Sequence, residues 1–222
     1  MIKLKNRMAG EIDTTRQIIE RARTLFDVAG VSQASDGRKL VILGLRSTPE
    51  RDLDYFGVEQ GVFHMYGYRK HVKPRIESLL GFIRRLGFSA QTVGKYGYPL
   101  EGEINLKEEA IRSGLGRRGK NTVVLHPEYG PWLRFAAIRT EAPLELDGNS
   151  ALLEEENPVC RECSICVDVC PVKALKPYHM PDISICLSNI TRRDEKGRSI
   201  LCDLCLQLCP AGKDGFTEWH KG

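Results

Sequence analysis

The stretch Cys160-Arg-Glu-Cys163-Ser-Ile-Cys166-Val-Asp-Val-Cys170-Pro171, followed by Cys186 alone and then by Cys202-Asp-Leu-Cys205-Leu-Gln-Leu-Cys209-Pro210, holds all eight cysteines of the chain. Its first run is C-x2-C-x2-C-x3-C-P, the bacterial ferredoxin spacing for a 4Fe-4S cluster, and the second run ends in the same way. Three thiolates on one tight loop can each reach a different iron of a cubane, while the fourth cysteine, followed by proline, leaves the loop. In two-cluster ferredoxins that fourth cysteine ligates the other cluster. The same crossing here assigns one cluster to Cys160, Cys163, Cys166 and Cys209 and a second to Cys170, Cys186, Cys202 and Cys205, with no cysteine left over.

Two other uses of cysteine compete with this reading. Structural zinc also takes C-x2-C pairs, but a four-cysteine zinc site needs neither a third cysteine in the same register nor a Cys-Pro after each run. Disulfides belong to secreted chains, and Met1-Ile-Lys-Leu-Lys-Asn-Arg-Met8 carries charge without an apolar run of signal-peptide length. The 222 residues are 41% hydrophobic and 28% charged, an ordinary globular composition with room for one large domain or two modest ones. No apolar stretch approaches the roughly 20 residues that span a bilayer. The expectation is a cytoplasmic chain with no membrane partner, in a reducing compartment that suits free thiolates. The formal charge of +4 is a weak sign of nucleic-acid binding, because each cluster with its four thiolates adds about two negative charges and brings the loaded protein near neutrality.

Ahead of the cysteines the pattern is α/β. Ile12, Ile18, Ile19, Ala22, Leu25, Phe26 and Ala29 recur at three- and four-residue spacing, predicting a helix stopped by Gly30. Residues 39–45 form a short apolar run typical of a buried strand, and residues 46–67 read as a long loop carrying Tyr55, Phe56, Phe63 and Tyr66. A second amphipathic helix is expected over 70–86, with Pro74 near its start and Val72, Ile76, Leu79, Leu80, Ile83 and Leu86 on one stripe. Residues 88–93 alternate like a strand, and Asn105-Leu-Lys-Glu108 reads as a capping-box variant opening a helix to about Ser113. Gly114-Leu-Gly-Arg-Arg-Gly-Lys120 has the spacing of a phosphate-cradling loop, but it follows a helix rather than a strand, so the dinucleotide-binding context is absent. Residues 121–126 and 132–139 read as two strands joined in a hairpin by Pro127-Glu-Tyr-Gly-Pro131, and 144–157 as an acidic linker.

Gly114-Leu-Gly-Arg-Arg-Gly-Lys-Asn-Thr122, Pro127-Glu-Tyr-Gly-Pro131, Arg139-Thr-Glu-Ala-Pro-Leu144 and the eight-cysteine module together resemble the epoxyqueuosine reductases and, more distantly, the iron-sulfur half of the corrinoid-dependent reductive dehalogenases. The resemblance implies a nitroreductase-like α/β domain over residues 1–150 that holds a cobalamin, followed over residues 151–222 by a ferredoxin-like domain with two 4Fe-4S clusters. It places Gly114, Gly116, Gly119, Lys120 and Asn121 in the stretch lining the corrinoid side of the site. Family members carry an aspartate proton donor shortly before the Gly-Leu-Gly segment; residues 94–106 here contain no aspartate, and Tyr96, Tyr98, Glu101 and Glu103 are the candidates for that role. Longer members continue into a helical-repeat region that helps hold tRNA, whereas this sequence ends at Gly222, so a relative with a different substrate is also expected.

Two functions from different classes follow. One is an oxidoreductase that passes single electrons from the clusters to a corrinoid or other redox group, which reduces a small molecule or a modified tRNA base; its electron donor would be a flavodoxin or ferredoxin. The other is an electron carrier or reductive activator that docks on a corrinoid protein and has no substrate site. The basic groups Arg69, Lys70, His71, Lys73, Arg75 and Arg192, Arg193, Lys196, Arg198 could meet phosphates, but solvated faces are the commoner use of such runs. His64, His71, His126, His179 and His220 show no metal-ligand spacing and read as surface or capping residues.

Overall fold

Burial of an apolar stripe at helical spacing organises the first part of the chain. The computed structural model describes residues 2–34, 36–60, 62–99, 104–147, 150–193 and 199–212. Helix α1 (Ile2–Arg23) buries Ile18, Ile19 and Ala22, with Phe26 buried just beyond its end. The helix stops earlier than expected. Residues 28–33 form strand β1 (Val28–Gln33), which pairs antiparallel with β2 (Lys39–Arg46) from Val28↔Gly44 to Gln33↔Lys39. Gly30 therefore does not cap a helix; it lies in a strand where an added Cβ would stand 2.7 Å from the Ser113 carbonyl oxygen.

Strand β2 is buried from Leu40 to Leu45, as its unbroken apolar run predicts. The stretch read as a loop over 46–67 contains a short hairpin, β3 (Gly57–Glu59) paired with β4 (Val62–His64). Ring contacts brace it: Phe56 and Phe63 lie 5.3 Å apart, and Tyr55 and Tyr66 lie 4.8 Å apart. Helix α2 (Lys73–Arg85) has Pro74 in its first turn and is preceded by a π-helical turn, Tyr68–Val72. It buries Ile76, Leu79, Leu80 and Ile83, each contributing about 1.5–3 kcal/mol against the unfolded chain; Leu86 is only half-buried at its end. Strand β5 (Ala90–Thr92) follows, then α3 (Leu106–Arg112), where the Asn105 side chain accepts from the Glu108 N–H at 3.3 Å and Glu108 and Glu109 face the positive end of the helix.

Strands β6 (Arg117–Arg118) and β7 (Val124–Leu125) pair with each other, whereas β8 (Leu133–Thr140) joins the main sheet, whose order is β1-β2-β8-β5. The expected hairpin of 121–126 with 132–139 is therefore not formed. The 127–131 turn closes through the His126↔Gly130 bridge rather than through a strand pair, and β7 turns back on the glycine loop. The cysteine region consists of short pieces: a 3-10 turn at Pro158–Cys160, α4 (Ile165–Asp168), α5 (Ile183–Ser188), a hairpin of β9 (Ile190–Arg193) and β10 (Ser199–Leu201), and α6 (Leu204–Gln207).

These elements make two compact units interleaved along the chain. One comprises residues 1–45, 70–115 and 134–153, with α1 and α2 packed on each other, α1 and α3 on β1, and α2 on β5. The other comprises residues 46–69, 116–133 and 154–222, so the cysteine-bearing unit draws residues from both sides of position 150. The architecture is mixed α/β, as the sequence pattern implies. No helix among the described residues is long and apolar enough to cross a membrane.

Candidate metal centres

Short polar caps shape the first cysteine loop. The Asn157 side chain accepts from the Val159 N–H at 3.1 Å, starting the turn that carries Cys160, and the Cys163 N–H returns to the Cys160 carbonyl at 3.2 Å. Ser164 then opens α4, its hydroxyl donating to Asp168 at 2.5 Å, so that Cys166 points from a single helical turn and Cys170 follows it. The second run repeats the device: Asp203 precedes α6, which carries Cys205, and Cys209-Pro210 leaves its end.

Cys160, Cys163, Cys166 and Cys209, three from the first run and one from the second, line a single small cleft. Lys120, Asn121 and Leu125 form another part of its wall. Burial pushes the Cys166 thiol up to about 11, with the Cys209, Cys160 and Cys163 thiols adding to the effect. Burial likewise raises Cys160 and Cys209. The remaining four cysteines form the other group. Cys170 packs with Ala174 and Leu175, against which Cys186 and Cys205 also rest. Burial pushes Cys205 up to about 12, with Cys186, Cys166, Cys202 and Cys170 adding to it, and burial raises Cys186, helped by Cys170 and Cys202. All eight thiols are free, and among the described residues no three of His, Cys, Asp and Glu are grouped as a single metal ion requires. A cubane makes no such demand, because each thiolate meets its own iron rather than one shared point. The donor set, four soft thiols gathered from two runs around one cleft, fits an iron-sulfur cluster.

The glycine loop belongs to this cysteine-bearing unit from Gly116 onward. A Cβ at Gly119 would stand 2.6 Å from Asn121 Oδ1 and 2.8 Å from the Leu125 side chain, and one at Gly116, whose φ is +147°, would stand 2.6 Å from the Leu125 carbonyl oxygen. Glycine is needed here so that the loop can press on the strand that walls the cleft. Asn121 is buried, and its Nδ2 donates to the Cys205 carbonyl at 3.2 Å. Lys120 lines the cleft beside Cys160. Gly114 lies at the end of α3, in the other unit, with φ +74°.

Of the four proton-donor candidates, Tyr96 and Tyr98 lie in a tight turn whose Lys95↔Tyr98 bridge encloses Gly97; Tyr96 has φ +57° and the Lys95 ammonium 5.7 Å from its ring centre. Tyr98 is 37% exposed. Glu101 and Glu103 lie outside the described residues, as do Lys196, Arg198 and His220, and of the Arg192 and Arg193 side chains nothing is described. Lys73 pairs with Glu77 at 3.2 Å on the α2 surface. His126 caps a turn, its Nδ1 accepting from the Glu128 N–H at 3.1 Å and the Tyr129 N–H at 3.3 Å, and burial lowers its proton affinity.

One participant left no signal in the sequence. Tyr178, unremarkable in type and outside the cysteine motifs, packs on Leu125, Cys160 and Cys209, donates its N–H to the Lys120 carbonyl at 3.1 Å and its hydroxyl to Glu156 at 3.1 Å.

An epoxyqueuosine reductase of Listeria monocytogenes is 34% identical over 130 residues, which cover 54% of this chain and 33% of that protein. The chain resembles the epoxyqueuosine reductases. The matched stretch thus spans about a third of the curated relative's length. Among solved structures, an epoxyqueuosine reductase in complex with a modified tRNA-Tyr stem loop superposes with a TM-score of 0.61 at 18% identity, covering 88% of this chain and 64% of that one. A reductive dehalogenase, described with a mechanism for B12-dependent dehalogenation, superposes with a TM-score of 0.60 at 17% identity, covering 87% of this chain and 30% of that one. At such identities the likeness is one of fold. No family model matches the chain.

Proposed function

We propose that the chain is an epoxyqueuosine-reductase-like iron-sulfur oxidoreductase. Its ferredoxin-like portion, residues 151–222, would hold one 4Fe-4S cluster on Cys160, Cys163, Cys166 and Cys209 and another on Cys170, Cys186, Cys202 and Cys205. The nitroreductase-like portion, residues 1–150, would carry the acceptor, a corrinoid or another redox group. The observation that carries this reading is the cleft in which three cysteines of the first run meet Cys209 of the second, the crossing of ligands that two-cluster ferredoxins use.

When bound, the clusters supply one-electron transfer between an external donor and the acceptor. The chain's own residues hold and enclose them. Asn157 and Ser164 shape the ligand loop, Leu125 and Val159 form apolar wall, and Asn121 ties the glycine loop to the Cys205 backbone. The thiols, held up near 11 and 12 at Cys166 and Cys205, have to release protons as iron binds, so loading is favoured as pH rises. The corrinoid rests on the sequence resemblance and on the likeness of fold to the dehalogenase. A modified tRNA base as substrate rests on the likeness to the tRNA-bound reductase. Tyr96, Tyr98, Glu101 and Glu103 are proposed as the source of the substrate proton, with a flavodoxin or ferredoxin as electron donor.

Anaerobically purified protein should contain about eight irons per chain, by the count of two four-iron clusters. Its visible and electron paramagnetic resonance spectra, taken with and without added cobalamin, test both cofactors. Stoichiometric zinc with little iron would overturn the cluster reading, and an unchanged spectrum on adding cobalamin would favour the electron-carrier alternative.

A further inference from the structure

Lys120 meets the cysteine region at two points. Its carbonyl accepts from the Tyr178 N–H at 3.1 Å, which fixes the backbone. Its ammonium donates to the Arg161 carbonyl at 3.2 Å, which holds the charge against the ligand loop and at the wall of the Cys160, Cys163, Cys166 and Cys209 cleft. No carboxylate pairs with it among the described residues. Glu156 acts on Cys160 with the opposite sign, but that carboxylate accepts from the Tyr178 hydroxyl at 3.1 Å and lies 3.9 Å from the Arg161 guanidinium. At the second quartet, among the described residues, the charges named at Cys186 and Cys205 are those of other cysteines.

An electron added to a cluster makes it more negative. A fixed cation beside the ligand sulfurs favours that reduced state, and net charge is among the protein's means of setting a cluster potential. We propose that Lys120 is the residue that raises the reduction potential of the cluster held by Cys160, Cys163, Cys166 and Cys209 above that of its neighbour. Electrons from a one-electron donor then collect on this cluster: one electron leaves the reduced neighbour and reduces this one, no bond forms or breaks and no proton moves. The inference rests on the two-cluster reading.

The test is an anaerobic dithionite titration of the loaded full chain, followed by electron paramagnetic resonance, with iron and sulfide assayed in each sample. Cys186→Ser removes the neighbouring cluster and identifies the signal of this one. Lys120→Gln should lower the reduced-to-oxidised ratio of this cluster at a fixed poise by roughly three- to tenfold, tenfold being about 59 mV for one electron, and leave the other unchanged. Lys120→Arg should keep the original value. Glu156→Gln, which removes the opposing charge, should move the same cluster the other way and serves also if Lys120→Gln loads poorly. Unchanged potentials in both Lys120→Gln and Glu156→Gln at full iron content, or equal shifts of both clusters, would overturn the role of Lys120. Failure of the unaltered chain to bind iron would instead overturn the two-cluster reading.

Discussion

Replacing Gly130 with alanine should damage the cysteine region from a position that is not a ligand. Gly130 has φ +53°, and a Cβ built on it would lie 2.0 Å from the carbonyl oxygen of Ala211 and 2.8 Å from its carbonyl carbon. Ala211 is buried against Cys209, Cys160 and Leu125, two residues beyond Cys209, the proposed ligand from the second run. The contact is reciprocal, since a Cβ on Gly212, at φ +90°, would lie 2.4 Å from the Gly130 nitrogen. Left-handed backbone costs an alanine about 1–2 kcal/mol relative to glycine. Relieving the contact requires about 1 Å of movement by backbone rather than by a flexible side chain, for which overpacking costs of about 1–3 kcal/mol are typical. The total, about 2–5 kcal/mol, is a large part of an ordinary domain's stability. Gly87→Ala separates the two contributions, because Gly87 has φ +92° and nothing within 4 Å of its built Cβ. Anaerobic denaturant melts should show a modest loss for Gly87→Ala at full iron content, and a larger loss for Gly130→Ala with about half the iron gone. Equal losses for both variants, with iron retained, would refute the argument that this close approach positions Cys209.

Asn121→Ala should cost about 0.5–1.5 kcal/mol in a denaturant melt, because it removes the 3.2 Å bond from a buried side chain to the part-buried Cys205 carbonyl; a change within a few tenths would show that the bond is replaced by water. Cys186→Ser should leave about four irons and one of two paramagnetic signals, whereas loss of all iron would contradict the assignment of ligands to separate clusters. The iron-free chain should lose stability at alkaline pH. Its folded state binds the Cys166 and Cys205 protons more tightly than the unfolded state, with values of about 11 and 12 against 9.0, so that stability is full below pH 9 and falls as pH rises through the folded values. A urea midpoint lower at pH 10 than at pH 8 is expected, and an equal or higher one would contradict the burial of these thiols.

Ligand spacing, the α2 stripe, the buried β2 run and the Asn105 cap were all legible in the sequence, because each depends on residues within a few positions of one another. The spacing also led to the expectation that Cys209 joins the first run, through the chemistry of a cubane rather than through local structure, and these four cysteines do line one cleft. Strand β1 was not. Val28 to Val31 continues the apolar spacing of α1, and only the pairing with β2, from Val28↔Gly44 onward, decides for a strand. The same holds for β7, which reads as half of a hairpin with β8 until Arg117↔Leu125 and Arg118↔Val124 claim it. The glycine loop offers the clearest case. Its spacing suggested a phosphate cradle, yet Gly116 and Gly119 are needed because Leu125 and Asn121 crowd them, and Lys120 matters because folding sets it against Cys160. The roles of Tyr178, Gly130 and Gly212 likewise come from contacts between residues far apart in the chain. Local periodicity and caps are written in neighbouring residues, whereas strand partners, close backbone approaches and the charges around a cofactor are settled only when tertiary packing brings distant segments together.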